Sequence, residues 1–110
     1  MQRIVRKLTR FTKKEIDQLF KKARRVIQQD GLSILICPKQ KEFGRILIII
    51  SRTVGNAPTR NTLRRRLKAI FYENKLYEKD GDWIILTKPE STQLNAQALT
   101  DLMMKASKSL

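Results

Sequence analysis

The sequence predicts an α+β fold with three helices and a four-stranded sheet in a single domain over residues 1–110. Three observations predict it: β-branched runs bounded by turn residues, helical apolar spacing between them, and a chain of 110 residues, which suits one small core. The predicted order is α-β-β-β-α-β-α. Helices collected on one side of the sheet would leave its other face partly open for a ligand. Residues 1–10 form a basic arm, either ordered or frayed.

A capping box predicts where the first helix begins. Thr12 and Glu15 have the spacing at which a hydroxyl and a carboxylate each satisfy an unpaired N–H of a first helical turn. We expect the helix to cover residues 13–24, approximately. The β-branched pair Val26-Ile27 then favours a short edge strand over residues 25–28.

Two strongly apolar segments follow the turn signal Asp30-Gly31. Residues 32–37 are predicted as a strand that is apolar on nearly both faces. A polar connection of hairpin length, residues 38–44, leads to residues 45–50, the most hydrophobic segment of the chain. Its β-branched composition predicts a central strand that is buried on both faces.

A basic helix is predicted after Gly55, reaching about residue 77. Asn56 can cap its start, and Pro58 falls in the first turn, where a missing N–H costs nothing. Between Asn56 and Tyr72 the sequence contains no acid, although surface helices usually mix both signs of charge. One side of the helix is therefore a row of hydrogen-bond donors, formed by Arg60, Asn61, Arg64, Arg65 and Lys68.

The end of the chain adds a strand at residues 83–87 and a helix capped by Asn95 that extends to about residue 108. No apolar run approaches the ~20 residues of a membrane-spanning helix, and residues 1–8 lack the apolar region of a signal peptide. We therefore expect a cytoplasmic protein without a membrane partner.

The charge of the chain predicts a nucleic-acid partner. Twenty-four Lys and Arg against 10 Asp and Glu give a formal net charge of +14. Solubility of a small domain needs a magnitude of only about 2 to 8, and so large a surplus repels itself unless a polyanion binds it. Because phosphates are recognised by forked Arg and by Lys side chains, the donor row on the basic helix is the candidate contact surface.

Intrinsic catalysis is not expected from this composition. The chain has no His and only one Cys, which excludes disulfides, Cys/His zinc sites and His-based general bases. Cys37 lies in an apolar run and is predicted to be core. Asp80 and Asp82, two acids that flank Gly81, are interpreted as a turn. A stand-alone metal-dependent nuclease, which needs convergent carboxylates, is therefore disfavoured.

Residues 51–68 read SRTVGNAPTRNTLRRRLK, and this stretch resembles the signature of the protein subunit of bacterial ribonuclease P. In that family a strand ending in Ser and basic residues leads through Gly-Asn-Ala to an Arg-Asn-Arg helix. The similarity covers nearly the whole chain, including Leu8, the first helix, residues 45–51 and residues 83–89. Two departures stand out: Thr62 occupies the position of the family's second arginine, and Ile16 and Ile34 stand where aromatic residues are frequent.

The resemblance implies a left-handed crossover around the basic helix, against the general preference for the right hand. It also implies that the RNA subunit holds the catalytic Mg²⁺ ions and frees the 5′ end of tRNA, and that no further protein partner is required. The residues expected to bind the RNA subunit are Arg52, Asn56, Arg60, Asn61, Arg64, Arg65 and Lys68. A cleft for the single-stranded 5′ leader of precursor tRNA is expected at Ile16, Phe20, Ile34 and Ser51.

Two alternatives stay open at this point. A structural RNA-binding protein of ribosomal type would carry the same charge without a role in tRNA processing. Phe20, four residues after Ile16, is more often a core residue at this spacing than a platform on which RNA bases stack.

Overall fold

The computed structural model describes residues 7–110, so most of the expected basic arm, residues 1–6, lies outside the described residues. The α+β class, the four strands and the predicted order of elements are confirmed. Residues 7–9 are helical. The remaining helices and strands are α1 (Lys13–Lys22), β1 (Arg24–Gln29), β2 (Leu32–Cys37), β3 (Ile46–Ile50), α2 (Ala57–Glu73), β4 (Asp82–Thr87) and α3 (Ala96–Ser107).

The predicted capping box begins α1. The Thr12 hydroxyl accepts a hydrogen bond from Glu15 N at 3.1 Å, and Thr12 N donates to Glu15 Oε1 at 2.8 Å. The helix ends two residues earlier than predicted because the backbone is already extended at Ala23, which leads directly into β1.

A two-residue turn joins β1 to β2. Asp30 and Gly31 both have positive φ (52° and 80°), which is the geometry of a tight hairpin.

The prediction that residues 45–50 form a central strand is wrong. The strand order is β1-β2-β4-β3, so β3 lies at an edge and β4 lies in the interior of the sheet. Ile49 of β3 is 40% exposed, whereas Trp83, Ile84 and Ile85 of β4 are fully buried. The alternating residues Ile46, Ile48 and Ile50 explain the hydrophobic sequence of β3, because they pack into the core on one face.

The connection of residues 38–44 does not form a hairpin, although its length allows one. β4 separates β2 from β3, pairing antiparallel with β2 and parallel with β3. The chain therefore crosses the end of β4 before β3 begins. β3 and β4 are parallel neighbours joined through α2, as the resemblance implies, and the left hand of this crossover stays a prediction.

The helices do not collect on one side of the sheet, which corrects that prediction. Alternation along the strands gives the sheet two apolar faces. One face holds the main core, in which Ile34, Ile46 and Trp83 pack with buried residues of α2 and α3. On the other face α1 places Leu19 against Cys37 and Ile84 in a smaller cluster. Each face is therefore covered by different helices.

Side chains and turns set the ends of the two later helices. Asn56 Oδ1 accepts from Thr59 N at 3.0 Å, which confirms it as the cap of α2. The helix ends at Glu73, earlier than predicted, because Asn74 Nδ2 donates to Ile70 O and Lys75 is left-handed. Asn95 caps α3, accepting from Ala98 N at 2.8 Å. Within residues 7–110, no helix combines the length and the apolar character needed to cross a membrane.

Candidate RNA-binding site

The exposed side of α2 carries the predicted row of donors. Its opposite side anchors it, since Leu63, Leu67, Ile70 and Phe71 are buried and Phe71 meets Trp83 edge-on with ring centroids 5.7 Å apart. The helix is therefore a rigid support for its cations. A surface hollow along it is lined by Pro58, Asn61, Thr62, Arg64, Arg65 and Lys68, so the structure brings four of the predicted residues together.

Hydrogen bonds within the row orient two of its arginines. Arg64 Nη1 donates to Asn61 Oδ1 at 3.0 Å, and Arg65 Nη2 donates to the Thr62 hydroxyl at 3.5 Å. That hydroxyl in turn donates to Pro58 O at 2.9 Å. Thr62 therefore supports Arg65, but it supplies no charge at the position where the resemblance implies an arginine.

The other predicted contacts lie nearer the start of α2. Arg52 is exposed in the 3₁₀ turn Arg52–Val54, and Asn56 is exposed with its side-chain oxygen used as a helix cap. Arg60 is half-buried. Arg64 and Lys68 also line a crevice beside Ile46, Leu47 and Ile48 of β3, so the row reaches the edge of the sheet.

The second face of the sheet is only partly covered, and α1 borders its open part. Relative to the buried residue Leu19, Gln18 and Lys22 lie on one side of α1, toward residues 38–40, while Ile16 and Phe20 lie on the other. Phe20 is 44% exposed, so its interpretation as a core residue is wrong. The open part of this face is formed by Ser33, Leu35, Leu47, Ile49 and Leu86 beside Ile16 and Phe20.

Ile34 does not belong to this open face, which corrects the predicted cleft. It is 0% exposed and packs in the main core, because residues 32, 34 and 36 of β2 point toward α2 and α3. Its neighbours Ser33 and Leu35 point the opposite way. Ser51 follows β3 at the open end of the face, where its hydroxyl accepts from Thr53 N at 3.3 Å.

Arg45 positions α1, and the sequence reasoning missed it. Its side chain is 2% exposed and lies between α1, the connection of residues 38–44 and β4. Nη2 lies 3.1 Å from Glu15 Oε2 and donates to Gln40 Oε1 at 2.7 Å, while Nη1 donates to Arg10 O at 2.8 Å. The guanidinium also lies 4.2 Å from the centre of the Phe11 ring. The signal in the sequence that could have indicated this role was an arginine at the start of an otherwise apolar strand.

The two carboxylates near Arg45 have opposite pKa shifts. Hydrogen bonds from Arg45 and from the Thr12 backbone lower the pKa of Glu15 to about 2. Burial raises the pKa of Asp82, although backbone donors and the charge of Arg45 partly oppose the shift. Asp82 Oδ1 accepts from Arg45 N at 2.8 Å and Oδ2 accepts from Gln40 N at 3.3 Å, so this carboxylate holds the turn between strands.

Other reactive groups are used in packing. Cys37 is buried as predicted, and burial raises the pKa of its thiol to about 12. Asp80 is exposed and lies 3.8 Å from Lys39 Nζ, while Asp82 is enclosed, so this pair does not converge on a shared site. Across residues 7–110, no group of three or more His, Cys, Asp or Glu side chains could hold a metal ion.

Comparisons with known proteins agree with the sequence signature and the fold. The family model described as Ribonuclease P matches residues 4–110. The ribonuclease P protein component of Streptococcus agalactiae serotype III (strain NEM316) is 27% identical over 86 residues, covering 78% of each chain. That of Petrotoga mobilis is 29% identical over 79 residues, covering 71% of this chain and 66% of its own.

Solved structures show the same fold at low sequence identity. The RNase P protein of Staphylococcus aureus superposes with a TM-score of 0.77 at 17% identity, covering 93% of this chain and 94% of that one. The RNase P protein of Thermotoga maritima gives 0.77 at 18% identity, covering 93% and 96%. The chain belongs to the ribonuclease P protein family, whose members bind RNA and act in the 5′ processing of tRNA.

Proposed function

We propose that this chain docks on the RNA subunit of ribonuclease P through α2 and binds the 5′ leader of precursor tRNA on the open face of its sheet. The observation that carries the proposal is the acid-free row on α2, whose opposite side is locked into the main core. A row of cations on a fixed helix can follow a phosphate backbone with little loss of backbone freedom on binding.

Within the row, Arg64 and Arg65 are the principal phosphate contacts of the proposal. Their hydrogen bonds to Asn61 and Thr62 fix where the guanidinium groups lie before RNA arrives. Arg52, Asn56 and Arg60 extend the contact toward the start of the helix, and Lys68 extends it toward β3. Phosphate contacts of this kind fix the orientation of the protein on the RNA.

The leader would lie over the open face between α1 and the exposed end of the sheet. Exposed aromatic rings and apolar strand residues suit single-stranded RNA, because its unstacked bases can stack or pack on such a surface. Phe20 is the aromatic residue there, and Ile16, Leu35 and Leu86 supply an aliphatic surface. Ser51 lies at the end of this surface and offers a hydroxyl to the backbone of the leader.

Chemistry is assigned to the RNA subunit, which would hold the Mg²⁺ ions that cleave the phosphodiester bond. The protein belongs to a ribonuclease holoenzyme and, in this proposal, supplies no catalytic group. Three carboxylates near the surfaces of this proposal already have partners, which supports this assignment. Glu15 and Asp82 are engaged by Arg45 and by backbone N–H groups, and Asp80 pairs with Lys39.

Reconstitution tests the proposal. Cleavage of precursor tRNA is measured with protein alone, with the cognate RNA subunit alone, and with both, at near-physiological salt and Mg²⁺. We expect slow cleavage by the RNA, faster cleavage by the two together, and none by the protein. Absence of stimulation would favour a structural RNA-binding protein, and cleavage by the protein alone would indicate a stand-alone nuclease.

Substituting Phe20 tests the leader surface. Phe20→Ala should leave folding intact, because the ring is largely exposed, but should weaken binding of precursor tRNA relative to mature tRNA several-fold. Affinities of the reconstituted holoenzyme for substrates with leaders of increasing length measure this effect. Met104→Ala, which removes a 38% exposed side chain from α3, is the matched control. Equal effects of both substitutions would remove Phe20 from the leader site.

A further inference from the structure

We infer that a second site for RNA phosphates lies on the opposite side of α1 from Phe20. It is a hollow of about 720 Å³, here called the basic hollow, bordered by Lys22, Arg24, Lys39 and Lys41, with one acidic side chain, Asp80, at its rim. The inference rests on the proposed function only in taking RNA as the polyanion. It concerns a surface that shares no residue with the row on α2.

The basic hollow and the row on α2 lie at different edges of the molecule. Arg24 begins β1, the edge strand farthest from β3 in the sheet order, whereas Arg64 and Lys68 line the crevice beside β3. The width of the sheet therefore separates them. A phosphate held in the basic hollow cannot be one that Arg64 holds, so the two sites would contact different parts of an RNA.

Helix electrostatics do not account for the charges of the basic hollow. Lysines in the last turn of a helix compensate its dipole, which is a sufficient reason for Lys22 at the end of α1. Arg24, Lys39 and Lys41 lie outside any helix, on β1 and on the connection after β2. Three separate segments thus bring cations to one place, which is costly through like-charge repulsion unless an anion binds there.

Two of these cations are held in place by the fold. Arg24 Nη2 donates to Ser109 O at 2.9 Å, a partner that orients the guanidinium without neutralising it. Lys39 Nζ donates to Glu42 O at 3.2 Å and lies 3.8 Å from the exposed Asp80. Lys41 Nζ lies 4.0 Å from Glu15 Oε2, and that carboxylate is already bound by Arg45. The four cations outnumber Asp80, the one acidic side chain at the rim, so the rim of the basic hollow carries a net positive charge.

The shape and lining of the basic hollow fit a nucleotide unit of an RNA chain. Its volume lies within the ~300–1,000 Å³ of typical ligand sites. Pro38 and Leu110, which are exposed, add apolar surface on which a ribose or base can lie, while the cations at the rim meet the phosphates. Because one side is open to solvent, a continuous strand can pass through it. The ligand is therefore the phosphodiester backbone of RNA.

The salt dependence of binding tests the basic hollow. The double variant K22Q/K41Q removes two exposed cations of the rim, and K75Q/K105Q removes the same charge from exposed positions elsewhere. Affinity is measured between 0.1 and 0.5 M salt for the cognate RNA subunit, for precursor tRNA and for an eight-nucleotide oligouridylate. Circular dichroism confirms that each variant is folded, and the single variant K22Q replaces any that is not.

We expect K22Q/K41Q to weaken binding of at least one of the three RNAs by roughly tenfold at 0.1 M salt. The slope of log K against log salt should fall in magnitude by about 1.5, because each lost phosphate contact removes about 0.7 to 0.9. The RNA that responds identifies the source of the phosphates. Equal losses in K75Q/K105Q would show a general effect of net charge and would overturn the inference, as would no loss in any RNA.

R64A, measured in the same titrations, keeps this inference distinct from the proposed function. If R64A weakens binding and K22Q/K41Q does not, only the basic hollow fails. If K22Q/K41Q weakens binding and R64A does not, the docking role of α2 fails. Lysine acetylation of the wild-type protein gives a second measure: adding the responding RNA should protect Lys22, Lys39 and Lys41 but not Lys75 or Lys105, and unchanged reactivity at all five would contradict the site.

Discussion

Arg45 shows how a buried charge can organise a small domain. Its guanidinium joins the α1 carboxylate Glu15, the side chain of Gln40 and the backbone of Arg10, and its own N–H donates to Asp82. Removing one member of such a buried group leaves its partners without compensation. Because the guanidinium contacts Glu15, the position of α1 depends on this arginine. That helix borders the face of the sheet that we propose for the leader.

Arg45→Met tests this role. We expect the free energy of unfolding to fall by about 3 kcal/mol, because the substitution removes the guanidinium that lies 4.0 Å from the buried Asp82 Oδ2 and 3.1 Å from Glu15 Oε2. Urea denaturation at neutral pH measures the change. Arg66→Met, at an exposed position on α2, should change stability by less than about 0.5 kcal/mol. A loss below about 1 kcal/mol in Arg45→Met would show that α1 is held by its apolar contacts alone.

Glu15 predicts how stability changes in acid. Its folded-state pKa of about 2 is below the ordinary value of 4.5, so ionised Glu15 stabilises the fold above pH 4.5. That contribution is lost as the pH falls from 4.5 toward 2. Asp82 acts in the opposite sense, since a raised pKa favours the folded state at low pH and that gain is lost as the pH rises through it.

The expected result for Glu15→Gln is a shallower decline of unfolding free energy between pH 4.5 and 2 than in the unmodified protein. Denaturation in urea at half-unit pH steps measures it. Asp17→Asn, on an exposed position of the same helix, serves as the control and should keep the full decline. An unchanged profile in Glu15→Gln would mean that the contact with Arg45 does not depend on the charge of Glu15.

At the scale of elements, α2 has two sides with different tasks. Its buried residues fix it against the sheet. Its other side carries a row of cations and one amide, in which Asn61 and Arg65 are exposed and the remaining residues are half-buried. Because the apolar side carries the stability, the exposed side can be substituted with little effect on folding. This separation makes RNA binding through α2 directly testable.

Arg64→Ala should weaken binding of the RNA subunit and lower the magnitude of the salt slope by about 0.9, the loss of one phosphate contact. Filter binding across a salt series gives both values. Lys75→Ala, beyond the end of α2, is the control and should leave the slope unchanged. If the slope for Arg64→Ala equals that of the unmodified protein, this arginine does not contact phosphate.

Local signals in the sequence predicted the elements, but not how they assemble. Caps such as Thr12, Asn56 and Asn95 act within one turn of a helix, so they could be read directly from spacing. The strand order depends on pairing between distant segments, and the apolar run of β3 would suit either a central strand or an edge strand packed under α2.

The same limit applies to the candidate site. The row on α2 follows from helical periodicity, and the structure brings four of its five residues, all except Arg60, together in one hollow. Ile34 was assigned to the cleft from the family resemblance, and the sequence of a strand that is apolar on both faces could not correct this, because it does not reveal which residues point toward which helix. The register with β4 decides this, and it places Leu35 toward α1 and Ile34 in the main core.

At the scale of the whole molecule, the sheet divides the protein into unequal halves. The main core joins α2 and α3 to one face, whereas α1 buries only Leu19 completely on the other. Segments with few buried apolar residues open with less free energy than the rest of the protein. We therefore expect α1, which borders the proposed leader surface, to open more readily than α2 or α3.

Amide hydrogen exchange should therefore be faster in the middle of α1 than in the middle of α2, under conditions where the protein is folded. Mass spectrometry or NMR of the free protein measures the difference. Arg45→Met should speed amide exchange in α1 further and leave the exchange rates in α2, which packs in the main core, unchanged. Equal protection in both helices would show that α1 opens only when the whole domain unfolds.

The position of β3 at the edge of the sheet has a consequence for the protein before it meets RNA. Within residues 7–110 β3 pairs with β4 alone, and its five residues are all Ile or Leu, a sequence that favours strand-to-strand association between molecules. A net charge of +14 keeps such molecules apart. The cations that attract RNA therefore also oppose self-association, by repulsion between like-charged molecules, while the partner is absent.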